Sequence, residues 1–260
     1  MIPGVVDQAQ SVKSVRVTPI GQLGISVARG DVAGMSLQNK FGHNDSVSST
    51  KITLWGEGGI YVYPAAATTM TVSSGSTDDA SGGTGARTID IFGLDSTHTE
   101  INETITLNGQ SGVTTANSYL RIYRMIVRTA GSGGENAGIL YVGTGTITSG
   151  KPANVYSMTE ATENQTLQSF WTVPAGKSFF LLDLIMSVGT GREVEFGLYA
   201  RPENEVFQIK FIDHIVAAVG QRMFDPSLKF DEKTDIEIRV ESSAATTAVA
   251  AAFNGYVIDN

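Results

Sequence analysis

The chain has 260 residues, a formal net charge of -8, a sequence pI near 4.9 and no cysteine. This acidic balance argues against a nucleic-acid-binding protein, because neutralising phosphates requires clustered Lys and Arg. Without cysteine, disulfides, thiolate metal sites and cysteine nucleophiles are excluded, so we expect stability to come from packing or from association of chains. No signal-peptide pattern opens the chain, and no apolar run approaches the ~18 residues of a membrane span. We therefore expect a protein that is made in a cytosol and has no membrane partner.

Residues 1–50 differ in composition from the rest of the chain. Their apolar residues follow no sustained period apart from two candidate short strands at 15–17 and 25–27, and Gln38–Thr50 has the composition of a linker. Four bases and three acids give this segment a charge of +1, which leaves -9 for residues 51–260. An ordinary flexible N-terminus is one interpretation. The other, which we carry forward, is an N-terminal arm that contacts a partner through Lys13, Arg16, Arg29 and Lys40.

From Ile52 onward, short runs of alternating apolar and polar residues are separated by turn residues, which predicts β-strands. The clearest run is NQTLQSFWTVPAGKSFFLLDLIMSV, at residues 164–188. Gln168–Val173 is extended, Pro174–Gly176 has turn composition, and Lys177–Val188 is again extended, so we predict a hairpin. In the second strand of this hairpin, every second residue is apolar, so these side chains share one face of the strand. We predict that this face lies in the core: Phe180, Leu182, Leu184, Met186 and Val188.

The C-terminal third continues the same alternation. Ile236, Ile238 and Val240 alternate with charged residues at 235, 237, 239 and 241, which predicts a strand with one solvated face. Residues 247–259 are predicted to be the closing strand, and only His214–Met223 is a candidate helix. Many short strands with turns between them predict an all-β fold of antiparallel sandwich or jelly-roll type with an N-terminal extension. The predicted domains are an arm at 1–50 and a body at 51–260, the latter as one unit or as two sub-sandwiches that meet near residue 150.

No catalytic motif or metal-ligand spacing was found, so we expect no catalytic residue, no cofactor and no metal, and hence no enzyme. Asp78, Asp79 and the acids at 95, 100 and 103 offer calcium-type oxygen ligands, but they match no loop of defined ligand order and are better interpreted as solvated acids. Aromatic residues at 55, 61, 63 and 171 could form a sugar-binding platform, although packing is the commoner use of such side chains.

Several phrases, in their order along the chain, carry a family resemblance. They include LWGEGGIYVYPAAATTMTVSS, GGTGARTIDIFGLD, ETITLNGQSGVTTANSYLRIYRMIVRTAGSGGENAG, FWTVPAGKSFFLLDL, EKTDIEIRV and FNGYVID. From roughly Trp55 to Asp259 the chain resembles virion structural proteins of tailed bacteriophages, and most closely a capsid decoration (cement) protein.

The resemblance implies a non-enzymatic β-sandwich that trimerises on the outer capsid, assembles in the host cytoplasm and has the major capsid protein or another virion protein as its partner. The alternative is a head fibre, tail or baseplate appendage that binds a carbohydrate receptor. Glycan-degrading tailspikes usually have long repeats, and no repeat period is present here.

A homotrimer needs an interface, and large aromatic side chains are the best candidates in a chain with few charges. We predict that this interface contains Tyr119, Tyr123, Trp171 and Phe179.

Overall fold

The computed structural model describes residues 20–189, 191–244 and 246–260. Within these ranges strands predominate and the single helix is α1 (Ile20–Ala28), so the all-β prediction is confirmed. Every strand pairing is antiparallel. The strands are β1 (Met35–Val47), β2 (Ile52–Thr53), β3 (Thr68–Ser74), β4 (Ala86–Leu94), β5 (Glu100–Thr106), β6 (Val113–Tyr119), β7 (Arg121–Ala130), β8 (Leu140–Thr148), β9 (Lys151–Thr159), β10 (Phe170–Thr172), β11 (Lys177–Val188), β12 (Glu193–Arg201), β13 (Gln208–Val216), β14 (Val219–Phe230), β15 (Asp235–Ser242) and β16 (Thr247–Asp259).

The strands form four sheets. Sheet I has the order β1-β16-β11-β14, and sheet II has the order β10-β15-β12-β13 with β2 also paired to β15. Sheet III has the order β6-β3-β8-β9, and sheet IV the order β5-β4-β7.

Sheets I and II share one hydrophobic core and together form the body of the protein. β11 and β16 of sheet I contribute Phe179, Leu184 and Phe253 to this core, while β12 and β15 of sheet II contribute Phe196 and Ile238. Apart from the two-residue β2, the strands of the body pair in a nested way along the chain: β1 with β16, β10 with β15, β11 with β14 and β12 with β13.

Sheets III and IV belong to an insert, residues 56–167, that leaves the body after β2 and returns before β10. The insert has its own core, which includes Met70, Ile91, Tyr119 and Val142. The sequence of the insert therefore lies within the sequence of the body, and the two units do not follow one another along the chain. The predicted meeting point near residue 150 instead lies in the turn between β8 and β9.

The predicted hairpin at residues 168–188 is wrong in its pairing. β10 and β11 are both strands, and Gly176 has the positive φ of 72° expected in the turn between them. However, β10 pairs with β15 in sheet II, whereas β11 pairs with β14 and β16 in sheet I. The segment Pro174–Gly176 thus carries the chain from one sheet to the other.

A β-bulge in β11 changes which side chains enter the core. The register of β11 shifts between Leu181 and Asp183 against both neighbouring strands. After the shift the predicted core residues Leu184, Met186 and Val188 are buried, but before it the buried residues are Phe179 and Leu181. The predictions for Phe180 and Leu182 are wrong, because one extra residue reverses the alternation.

Three further predictions from composition are corrected. Residues 25–27 are the end of α1, which Gly30 closes at a φ of 75°, instead of a short strand. The predicted linker Gln38–Thr50 is largely β1, an edge strand of sheet I that pairs along its length with β16. The candidate helix at 214–223 is instead the end of β13 and the start of β14. The predicted closing strand is confirmed as β16.

We expect Gly42→Ala to destabilise the whole fold, because β1 packs tightly on the body at this position. A Cβ there would lie 2.5 Å from the Leu54 carbonyl oxygen and 2.7 Å from the Ser169 nitrogen, both of which are backbone atoms. The expected loss in the free energy of unfolding is about 3 kcal/mol, measured by urea denaturation.

Gly75→Ala is the matched control, since a Cβ there meets nothing closer than 3.7 Å. Unchanged stability of the Gly42 variant would mean that β1 is dispensable, as expected for a separate arm.

Candidate functional site

Three of the four residues predicted for the oligomer interface lie inside the chain's own cores. Tyr119, Trp171 and Phe179 are buried, and Tyr123 is partly buried with its hydroxyl donating to Glu100 at 3.2 Å. Trp171 packs edge-on against Phe179 at 5.3 Å between ring centroids. These side chains fill the body and the insert, so they do not offer a second chain an exposed surface.

Of the four basic residues predicted to contact a partner, Lys13 and Arg16 lie outside the described residues. Arg29 is exposed and forms an ion pair with Asp31 at 3.5 Å. Lys40 is buried, and its Nζ donates to the Tyr123 carbonyl oxygen. Burial, together with the nearby Arg124 charge, holds the pKa of Lys40 well below its usual value. The prediction for Lys40 as a surface contact is corrected, because this amine joins β1 to the insert.

Much of the charged face of β15 is buried, which corrects the prediction of a solvated face; only the Glu241 end keeps substantial exposure, at 40% of its side chain. The insert covers this face, and Asp235 and Glu237 are only 3% and 0% exposed. Asp235 accepts from Arg121 Nε and Nη2 at 2.9 and 3.0 Å, and from Arg201 Nε and Nη2 at 3.1 and 2.6 Å. Glu237 accepts from Arg239 Nε at 2.5 Å.

Aromatic rings alternate with these guanidinium groups. Arg121 and Arg201 lie over the Tyr63 ring, with Cζ 4.9 and 4.7 Å from its centroid. Phe207 contacts Arg201 and Arg239 at 4.5 and 4.7 Å. We call this set, with Asp235 and Glu237, the arginine cluster. It joins the insert, which supplies Tyr63 and Arg121, to sheet II of the body.

Burial changes the acid–base behaviour of this cluster. It raises the pKa of Glu237, although the Arg239 charge and the hydrogen bond from the Tyr63 hydroxyl act in the opposite direction. Burial and the Glu237 charge raise the pKa of Tyr63 well above its usual value. Desolvation, followed by the Arg121 charge, lowers the pKa of the adjacent His98.

Asp79, considered as a calcium ligand, organises a loop of the insert instead. Its carboxylate is buried and accepts hydrogen bonds from the Ala86, Ala137 and Gly138 nitrogens and from the Ser74 hydroxyl, at 2.6–2.9 Å. Across the described ranges, no group of three or more His, Cys, Asp or Glu residues is placed to hold a metal ion. In the same ranges no helix has the length and apolarity needed to cross a bilayer.

An exposed apolar surface follows β13 and β14, which are the last strands of sheets II and I. Both strands leave one edge unpaired in the described structure, and residues 217–218 join them. Asp213 and Arg222 form an ion pair between the two strands at 2.5 Å. We call their exposed apolar side chains, which are 41–80% accessible, the edge surface: Ile209, Ile212, Val216, Val219 and Met223.

No protein-family model and no curated protein match the chain. Among solved structures, it is similar to a chain of "Structure of infectious bursal disease virus Gt strain", with 10% identity, coverage of 87% of this chain and 73% of that chain, and a TM-score of 0.22. It is also similar to "Crystal structure of infectious bursal disease virus VP2 subviral particle", with 11% identity, coverage of 86% and 72%, and a TM-score of 0.23. At such low TM-scores these similarities carry no argument for fold or function.

The buried amine of Lys40 predicts a specific pH dependence. In the unfolded chain Lys40 stays protonated up to its ordinary pKa, whereas its folded pKa is much lower, so the unfolded state binds the extra proton between these values. Stability should therefore rise with pH, by at most ~1.4 kcal/mol per pH unit, and this slope should be missing in Lys40→Met. The measurement is the free energy of unfolding of both proteins from about pH 7 to about pH 9. Lys229→Met, at a lysine whose side chain is 53% exposed, is the control. Parallel curves for wild type and Lys40→Met would refute the lowered pKa of Lys40.

Breaking the arginine cluster should be costly. Asp235→Asn should lower the free energy of unfolding by about 3–5 kcal/mol, because it leaves Arg121 and Arg201 without the carboxylate that they share. Arg121→Gln should cost less, because Arg201 still pairs with Asp235. The loss in the free energy of unfolding of the double variant should be clearly smaller than the sum of the losses in the two single variants. Removing the exposed pair Lys229–Asp231 is the control and should cost below ~1 kcal/mol. Strictly additive losses at 121 and 235 would contradict a direct interaction.

Proposed function

We propose that the protein is a non-enzymatic structural protein of a virus particle, built on a jelly-roll body with an inserted second sandwich. The nested pairing of the body strands carries this proposal. Apart from the short β2, the first body strand pairs with the last and the next strands pair inward in the same way. This pairing supports a jelly-roll body, an arrangement that viral capsid proteins share with lectins and cupins.

The architecture alone does not select one of these functions, because one fold serves many. The resemblance to virion structural proteins of tailed bacteriophages favours the virion. The sugar-binding alternative has less support, because three aromatic residues that could have formed a platform, Trp55, Tyr61 and Trp171, are buried in packing.

The edge surface supports an assembly role. Long unpaired strand edges with apolar side chains are the feature that monomeric proteins usually avoid, since they promote pairing with other chains. Residues 208–230 carry a charge of +1, while the remainder of the chain carries -9. This asymmetry favours a contact between the edge surface of one copy and a different, acidic surface of the next, which is the kind of interface that closes into a ring.

Together with the resemblance, the edge surface supports a homotrimer that binds the outer surface of the capsid as a decoration protein. Its partner would be the major capsid protein. The position in a head fibre, tail or baseplate is the alternative. Adding the purified protein to undecorated heads of the phage that encodes it, followed by electron microscopy, tests the position. Density on the head surface is expected; density only at the tail or baseplate would favour the alternative, and no binding to any part of the particle would refute a structural role.

The edge surface predicts the effect of a charge on oligomerisation. We expect wild type to have three times the 27.5 kDa chain mass in light scattering, and Val219→Asp to have the mass of one chain. Val219 is 73% exposed, so the substitution should leave the fold intact while placing a buried charge in the interface. Val62→Asp is the matched control, because Val62 is 74% exposed on a different surface. A monomeric wild type, or a Val219→Asp trimer, would contradict this assignment.

A further inference from the structure

A cleft of about 630 Å³ lies over the arginine cluster, on the outer side of sheet II. One wall is the segment 60–65 of the insert, and the other is formed by Arg201 at the end of β12 and by residues 202–205 and 207 of the turn that follows. Arg121, Arg201 and Arg239 all line this cleft. The proposed capsid role uses none of these groups, so the cleft is a separate site.

Two of these arginines keep N–H groups that the described residues do not use. Arg201 directs Nε and Nη2 to Asp235, and Arg239 directs Nε to Glu237, while Arg201 Nη1 and both Nη atoms of Arg239 form no hydrogen bond with the described part of the chain. The Arg201 and Arg239 side chains are 28% and 16% exposed, so the cleft gives access to them. Both guanidinium groups contact the Phe207 ring, which fixes their orientation.

The charge balance of the arginine cluster, taken without the rim residues, favours an anion. Three arginines meet two buried carboxylates, those of Asp235 and Glu237, which leaves one positive charge in excess. The nearby Glu203 is paired with Lys233 at 3.2 Å, and Glu205 is exposed at the rim, where solvent screens its charge. A planar carboxylate matches the geometry of free guanidinium N–H groups in a partly buried site.

One side of the cleft rim, on the insert, is aliphatic. Ile60 and Val62 line the cleft there and are 45% and 74% exposed. A sugar acid would gain little from these side chains, because its ring edges are hydroxylated. A peptide with apolar residues on both sides of an acidic one would instead bury them.

We propose that this cleft binds an extended peptide segment of a partner protein, with a Glu or Asp side chain at Arg201 and Arg239 and its apolar neighbours on Ile60 and Val62. The carboxylate would complete the hydrogen bonding of the arginine cluster. This site does not depend on the oligomeric state or on the position of the protein in a particle.

The test uses calorimetric titration of the full chain with the capped peptide acetyl-Val-Glu-Val-amide. We expect saturable binding at millimolar concentrations, at least about tenfold tighter than for acetyl-Val-Gln-Val-amide, which corresponds to ~1.4 kcal/mol for the carboxylate. Equal binding of the two peptides, or no binding of either, would overturn the proposal. So would glucuronate binding as tightly as the Glu peptide, because the ligand would then be a sugar acid.

Variants separate the site from the fold. Arg239→Lys retains the charge beside Glu237 but loses the planar fork, and should reduce the preference for Glu over Gln. Val62→Asp should weaken binding by about tenfold or more through repulsion and loss of apolar contact. Val219→Asp, equally exposed on the edge surface, should bind the Glu peptide like wild type even if it alters the oligomer. Wild-type affinity in both folded cleft variants would overturn the proposal.

Discussion

The ion pairs beneath the insert are the interaction on which the arrangement of this molecule depends. Asp235 on β15 is held by Arg201 from the neighbouring strand of sheet II and by Arg121 from the insert, so one carboxylate fixes the two units to each other. Burying these charges costs free energy unless every partner is present, so the contact forms only when the insert has one particular position on the body. A purely apolar contact would tolerate sliding of the insert, whereas a bidentate guanidinium–carboxylate contact does not.

The nested topology explains why this contact is needed. The insert leaves the body after β2 and returns before β10, and β1 has its partner β16 at the opposite end of the sequence. Closing the body therefore requires pairing across almost the whole chain, with the insert as an intervening loop that folds around its own core. A hydrophobic cluster of Trp55, Tyr61, Tyr141, Met158 and Phe170 fills the junction between them. The arginine cluster and this hydrophobic cluster together set the cleft walls at a fixed separation.

Residue type does not indicate which apolar side chains of this protein are buried and which are exposed. The largest aromatic side chains, which appeared suited to an interface, are in the cores, while medium-sized aliphatic residues on β13 and β14 are exposed. Both strands are at the ends of their sheets, so one side of each has no neighbour among the described residues. Exposure here follows from position in the sheet order, and the order is a property of the complete fold.

The sequence by itself determined the secondary structure class and most strand positions, because alternation with period two is a local consequence of the pleat. It identified β15 and β16 well, and correctly placed Leu184, Met186 and Val188 in the core. Pairing was decided only by the tertiary structure: β10 and β11 are adjacent in sequence yet belong to different sheets, since strand partners are chosen by nonlocal packing. The bulge in β11 was equally invisible, because both of its faces are rich in apolar residues. The alternation in β15 predicted a solvated face, because a sequence shows which residues are charged but not which part of the chain packs on them. Only the folded insert brings Arg121 and Tyr63 to Asp235 and Glu237.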